Sequence, residues 1–223
     1  MIFPSLAAAI RATSGRRVSI ANAKMPGTSF SADPRQCRTG QALRSVPGST
    51  CSVCYSLRLL LTRPGTAQGY AANEAELRRV AALPTMCAER RTWVAAMGDQ
   101  IKRQTAKTDR YHRWFDGGDL ASADVLRLIA QVARKTPDVA HWLPTREAAL
   151  ARGVTLPRNL VLRMSAAMIG AKPRKAWRLT STVHAKGQTP YGHACPAYEQ
   201  GGACGDCRAC WDPNVRNVSY RAH

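Results

Sequence analysis

"HRWFDGGDLASADVLRLIAQVARKT", residues 112–136, changes its period partway through. The first five residues have the aromatic and apolar character of a short buried strand, and "GGD" marks a turn. From Ser122 onward the apolar residues fall at Val125, Leu128, Ile129 and Val132, which is one face of a helix, and Ser122 stands where an N-cap oxygen is needed. Downstream, "DVAHWL" (138–143) reads as a second strand, "REAALARG" (146–153) as a short helix stopped by Gly153, and "NLVLRMS" (159–165) as a third strand. Strands separated by single helices pair in parallel through right-handed crossovers, so the fold class is α/β, either a partial (β/α) barrel or an open parallel sheet. In both, a ligand lies at the carboxyl ends of the strands. That edge would present Asp116, Gly117, Gly118 and Asp119 after the first strand, Thr145 and Arg146 after the second, and Ser165 after the third.

Upstream, "NEAELRRVAAL" has Asn73 followed three residues later by Glu76, the pattern of a capped helix start, and a second helix is expected over much of 85–106. Within the latter, Cys87, Val94, Met97 and Ile101 fall near one face, so Cys87 reads as a small buried hydrophobe rather than a ligand. The 223 residues can bury one sizeable core and contain nothing that resembles a long linker. A single domain over 1–223 is expected, with cysteine-rich segments at 37–55 and 195–211.

No apolar run approaches the roughly 20 residues that a bilayer requires, so no membrane partner is expected. The opening "MIFPSLAAAIRATSGRR" has no basic n-region, is interrupted by Pro4, and reads as part of a cytoplasmic protein. In a reducing compartment disulfides are rare, and thiols clustered at short spacing are metal ligands or catalytic groups.

Seven of the eight cysteines form two groups: Cys37, Cys51 and Cys54 near the start, and Cys195, Cys204, Cys207 and Cys210 near the end. Two C-x2-C turns suffice for one tetrahedral zinc ion, and Cys51–Cys54 with Cys207–Cys210 would supply them. The third thiol of the run Cys204, Cys207, Cys210 goes beyond what zinc needs. Successive thiolates at that spacing each reach a different iron of a cubane, which points to a [4Fe-4S] cluster, with zinc as the alternative. The expected ligands are Cys51, Cys54, Cys195, Cys204, Cys207 and Cys210, on one shared cluster or two separate ones. His193, two residues before Cys195, is a candidate replacement ligand.

"CSVCY", "FDGGDL" and "CPAYEQGGACGDCRACW", taken in that order from Cys51 to Trp211, resemble the phage gene-product-88 family. The same order is similar to a shortened radical S-adenosylmethionine enzyme. That second resemblance implies a [4Fe-4S] cluster held before the first helix, and a Gly-Gly-acid turn that meets the cofactor, here Gly117, Gly118 and Asp119. It implies a redox or electron-transfer function, radical enzyme activity, and an electron donor or acceptor protein as partner. Pro47 stands where the radical-enzyme motif has its first cysteine, with Cys37 further upstream, so the resemblance carries the cluster further than it carries S-adenosylmethionine.

Thirty-three basic against 14 acidic residues give a net charge of +19, and 26 of the basic residues are arginine. Such a field attracts polyanions, which makes nonspecific nucleic-acid binding the second functional reading. The arginines are nevertheless scattered, without a basic tail or a recognisable reading module. His112 and His141 fall in predicted strands, where a satisfied core histidine is expected.

Overall fold

The computed structural model describes residues 2–20 and 24–222. Its strands are β1 (Ser19–Ile20), β2 (Thr28–Phe30), β3 (Tyr111–Trp114), β4 (Ala140–Thr145), β5 (Leu160–Ile169), β6 (Thr180–His184), β7 (His193–Ala194) and β8 (Asn217–Arg221). Its helices are α1 (Leu6–Ala12), α2 (Arg38–Leu43), α3 (Tyr55–Thr62), α4 (Pro64–Ala82), α5 (Ala88–Thr105), α6 (Ala123–Lys135) and α7 (Ala148–Ala151). The strands form one sheet in the order β1-β2-β3-β4-β5-β6-β8-β7. Only β1 and β2 run antiparallel; every other neighbouring pair is parallel. The sheet is open, with β1 and β7 as its edges.

Side-chain alternation along the strands divides the molecule into two layers. Phe30, Trp114, Leu143, Leu160, Leu162 and Met164 point to one face, where α4, α5 and α6 pack with Leu77, Val80, Trp93, Met97, Ile101, Leu128 and Ile129 in the main core. His112 and His141 also lie in this layer and are fully buried. His112 Nδ1 meets Thr28 Oγ1 at 2.8 Å, while His141 takes Trp114 Nε1–H at 3.1 Å and meets Thr136 Oγ1 at 2.7 Å. On the opposite face, Trp142, Val218 and Tyr220 meet Trp211 and Cys210 of the segment between β7 and β8. The cysteine-rich end of the chain thus covers the face that the helices leave free.

The nucleus read from 112–136 forms as expected. Ser122 Oγ accepts from Val125 N at 3.2 Å and caps α6. The first strand is shorter than "HRWFD", because Phe115 takes a φ of +57° and turns the chain out of the sheet. The strand after Asn159 runs further than "NLVLRMS", to Ile169.

Two expectations are corrected. The helix expected to start at Asn73 begins nine residues earlier at Pro64, whose fixed φ suits a first helical position. Asn73 is mid-helix, and its Nδ2 donates to Ser31 O at 3.0 Å, tying α4 to the end of β2. Gly65 and Gly69 had concealed the first half of that helix from its period. Cys87 is the half-buried residue preceding α5, not a member of its buried face, whereas Val94, Met97 and Ile101 are buried as the period requires.

Strands β2, β6 and β8 have no apolar run to announce them. They are stitched by hydroxyl and amide side chains, including Thr180 Oγ1 to Asn217 Oδ1 at 2.8 Å and Asn217 Nδ2 to Thr182 Oγ1 at 2.9 Å. No helix among the described residues is long and apolar enough to cross a membrane.

Candidate metal and ligand site

A cavity of about 390 Å³ opens at the carboxyl ends of the parallel strands, the position expected of a ligand site in such a sheet. Its walls bring together Cys37, Cys51 and Cys54 from the segment after β2, Asp116 to Asp119 after β3, Thr145 at the end of β4 with Arg146 next to it, and Ser165 of β5. Arg113, Trp142 and Tyr220 close it from the face opposite the helices.

The three thiols are held there by their local structure. Cys37 precedes α2 and Cys54 precedes α3, so both sit at the start of short helices. The carboxylate of Glu147 fixes α2 over the cavity, accepting from Thr39 N at 2.7 Å and Thr39 Oγ1 at 2.9 Å. Thr50 N donates to Ala167 O at 2.9 Å, and Ile169 N to Gly48 O at 2.9 Å, which docks the loop before Cys51 on the far end of β5. Gly40 is the spacer: a Cβ there would lie 2.8 Å from Cys37 Cβ and 3.8 Å from the sulfurs of both Cys37 and Cys51. Burial, the nearby Asp119 charge and the other two thiols push the Cys37 thiol well above its ordinary range, so it is protonated in the metal-free chain.

Gly117 and Gly118 are required by close approach. A Cβ on Gly117 would lie 2.5 Å from Ser56 Oγ, and one on Gly118, whose φ is +86°, would lie 2.7 Å from the Ala32 backbone. The two aspartates beside them are already engaged. Asp116 accepts from the hydroxyls of Ser29 and Ser31 and from Gly117 N. Asp119 accepts from Thr145 Oγ1 at 2.5 Å, Leu120 N at 2.7 Å and Arg146 N at 2.9 Å. Burial outweighs those bonds and raises its pKa to about 6.

The terminal thiols are gathered elsewhere. Cys195, Cys207 and Cys210 pack in the small core around Trp211, and none of the four terminal cysteines lines the cavity. Cys207 N donates to Cys204 O at 3.0 Å, and His193 Nε2 lies 3.3 Å from Cys207 Sγ. Cys210 is pushed up to about 12 by burial, and its sulfur meets Tyr220 OH at 3.2 Å. Tyr220 belongs to both places, lining the cavity and touching Cys210. Among the described residues, no group of three or more His, Cys, Asp or Glu side chains is arranged to hold a single metal ion.

Of the residues singled out from sequence, Cys51, Cys54, Gly117, Gly118 and Asp119 come together around one cavity, while Cys195, Cys204, Cys207 and Cys210 belong to the other face of its wall. Sequence reasoning left Cys37 out of its expected ligands, since a lone thiol fourteen residues before Cys51 has no motif spacing, yet it lines the same cavity as Cys51 and Cys54. It also gave no role to Arg113, Tyr220 or the fully buried Arg163. The alternation of β3 could have flagged Arg113, because an arginine between His112 and Trp114 must face the side away from the helices.

The profile of the Gene product 88 family matches residues 7–213. No curated protein and no solved structure matches the chain.

Proposed function

The chain belongs to the Gene product 88 family, a family of phage proteins, and we propose that it is an iron–sulfur protein whose [4Fe-4S] cluster is held in the cavity by Cys37, Cys51 and Cys54. The observation that carries this reading is the convergence of three thiols, from one short segment, on a cavity at the carboxyl ends of a parallel sheet. A thiol-only donor set suits zinc and iron–sulfur clusters. Three thiolates on a cubane leave one iron without a protein ligand, the open position that separates reactive sites from closed ones. Such a cluster supplies one-electron redox chemistry, with an electron donor or acceptor protein as partner. In the finer form of this reading the cavity also takes S-adenosylmethionine beside Gly117 and Gly118. The terminal thiols Cys195, Cys204, Cys207 and Cys210 then form a second centre, a cluster or zinc. Anaerobic reconstitution with iron and sulfide, followed by metal and sulfide analysis, tests the reading: near-equal iron and acid-labile sulfide support it, and stoichiometric zinc without sulfide removes it.

The net charge of +19 favours a second function, nonspecific binding of nucleic acid by counterion release.

A further inference from the structure

Six buried side-chain nitrogen or oxygen atoms among the described residues have no hydrogen-bond partner, and four of them belong to residues that line the cavity described above: Ser56 Oγ, Arg113 Nε, Trp142 Nε1 and Arg146 Nε. All four can donate. Buried polar groups in folded proteins are nearly always paired, so a concentration of orphaned donors in one cavity wall marks where an acceptor-rich occupant is drawn once those side chains turn to meet it. Ser56 is only 4% exposed, so bulk solvent does not serve its hydroxyl. None of the ion pairs among the described residues includes Arg113 or Arg146. Arg113 instead lies over the Trp142 ring at 4.6 Å, and Arg146 donates to Thr50 Oγ1 at 2.7 Å. The cavity's own carboxylates, Asp116 and Asp119, are occupied by hydroxyl and backbone donors. Arg113 lies in the field of Asp116 and Arg146 in that of Asp119, but neither guanidinium closes an ion pair, and each keeps an unpaired Nε.

We infer that the cavity binds a small organic oxyanion, a carboxylate or a phosphate ester, through Arg113, Arg146 and the Ser56 hydroxyl. The volume of about 390 Å³ is that of a small-molecule site rather than of a polymer groove. This deepens the reading of the same cavity, and it rests on that reading only for what the bound molecule undergoes, since the donors are set by the fold alone.

The test is calorimetric titration of the full chain, both metal-free and after iron and sulfide loading, with two arms: a nucleoside monophosphate for the phosphate and an α-amino acid panel for the carboxylate. At least one arm should bind saturably in the metal-free chain. Arg146→Gln and Arg113→Gln should each weaken it by about tenfold or more, the loss of a charge-assisted hydrogen bond. Arg127→Gln, on the exposed face of α6, should leave binding unchanged. Ser56→Ala, a smaller change in the same wall, should weaken binding even where an arginine variant fails to fold. No saturable binding in either arm overturns the inference, as does binding that survives all three cavity variants, or competition by duplex DNA alone. Failure of iron uptake with binding intact would remove the cluster and leave this inference standing.

Discussion

The guanidinium of Arg163 donates to the carbonyl of Cys210 at 2.9 Å and so fastens β5 to the cysteine-rich end of the chain. The same side chain, fully buried, donates to the carbonyls of Ala209 at 2.7 Å, Asp212 at 2.8 Å and Val215 at 2.8 Å. Among the described residues no carboxylate forms an ion pair with it; the charge is met by the backbone carbonyls of an irregular turn, with the Asp212 carboxylate nearby. Five donors in one plane suit such a fan of acceptors, and lysine offers only three about a point.

Arg163→Met should therefore cost on the order of 3 kcal/mol or more, because several buried carbonyls lose their donor together. Limited proteolysis should then cut between Cys195 and Asn217, and Cys210 should alkylate faster. Arg163→Lys should recover little of the loss. Unchanged melting with unchanged alkylation would show that the segment is held by something else.

Gly118→Ala should destabilise by about 2 kcal/mol or more, combining a positive φ with overlap on a backbone that cannot yield. Gly153→Ala, also at positive φ but in open space, is its control and should cost only the conformational part, about 1 kcal/mol. Urea midpoints compare the two, and equal losses would contradict the close approach to Ala32.

Acid should weaken the fold between pH 6.5 and 4. Burial lowers His141 from 6.5 to about 3 and drives His112 well below 6.5. As pH falls through the ordinary histidine range the unfolded chain takes up protons that the folded chain refuses, so this stability is present above 6.5 and is lost on acidification. Asp119 acts in the opposite sense: raised from 3.8 to about 6, its contribution is complete below 3.8 and is lost as pH rises through 6. Two imidazoles against one carboxyl leave a net fall on acidification. Asp119→Asn should steepen it between pH 4 and 6, as read from denaturation midpoints. A midpoint that rises from pH 6.5 to 4 would contradict the neutral buried pair.

How much of this could be read from the sequence follows from how each part is stabilised. The stretch 112–136 is legible because its strand, cap and helix rest on local rules: a strand's apolar character, Ser122's oxygen, and a 3.6-residue period. Strands β2, β6 and β8 are not, since Thr180, Ser181 and Asn217 are buried through side-chain hydrogen bonds to partners distant in sequence. The thiols illustrate the same division. The spacing of Cys51 and Cys54 stands out in the sequence, but it takes the docking of α2 by Glu147 to bring Cys37 to the same cavity. The terminal run is conspicuous in sequence and lies outside the cavity, because Arg163 and Trp211 bind it to the sheet face, with Trp211 Nε1 donating to His112 O at 3.0 Å.

The surface charge makes its own prediction. Binding to duplex DNA should be weak and fall steeply between 50 and 200 mM salt, as phosphate contacts release counterions. Filter-binding or anisotropy titrations across that range decide it, and salt-independent binding would point to a specific reading site instead.

The most direct test of the central proposal is the iron and acid-labile sulfide content of anaerobically reconstituted variants, with electron paramagnetic resonance of the reduced samples. Cys37→Ser, Cys51→Ser and Cys54→Ser should each lose the cavity cluster, while Cys207→Ser keeps its signal and Cys87→Ser keeps all the iron. If the three cavity variants each retain full iron and sulfide, the cavity thiols are not cluster ligands and the account is wrong.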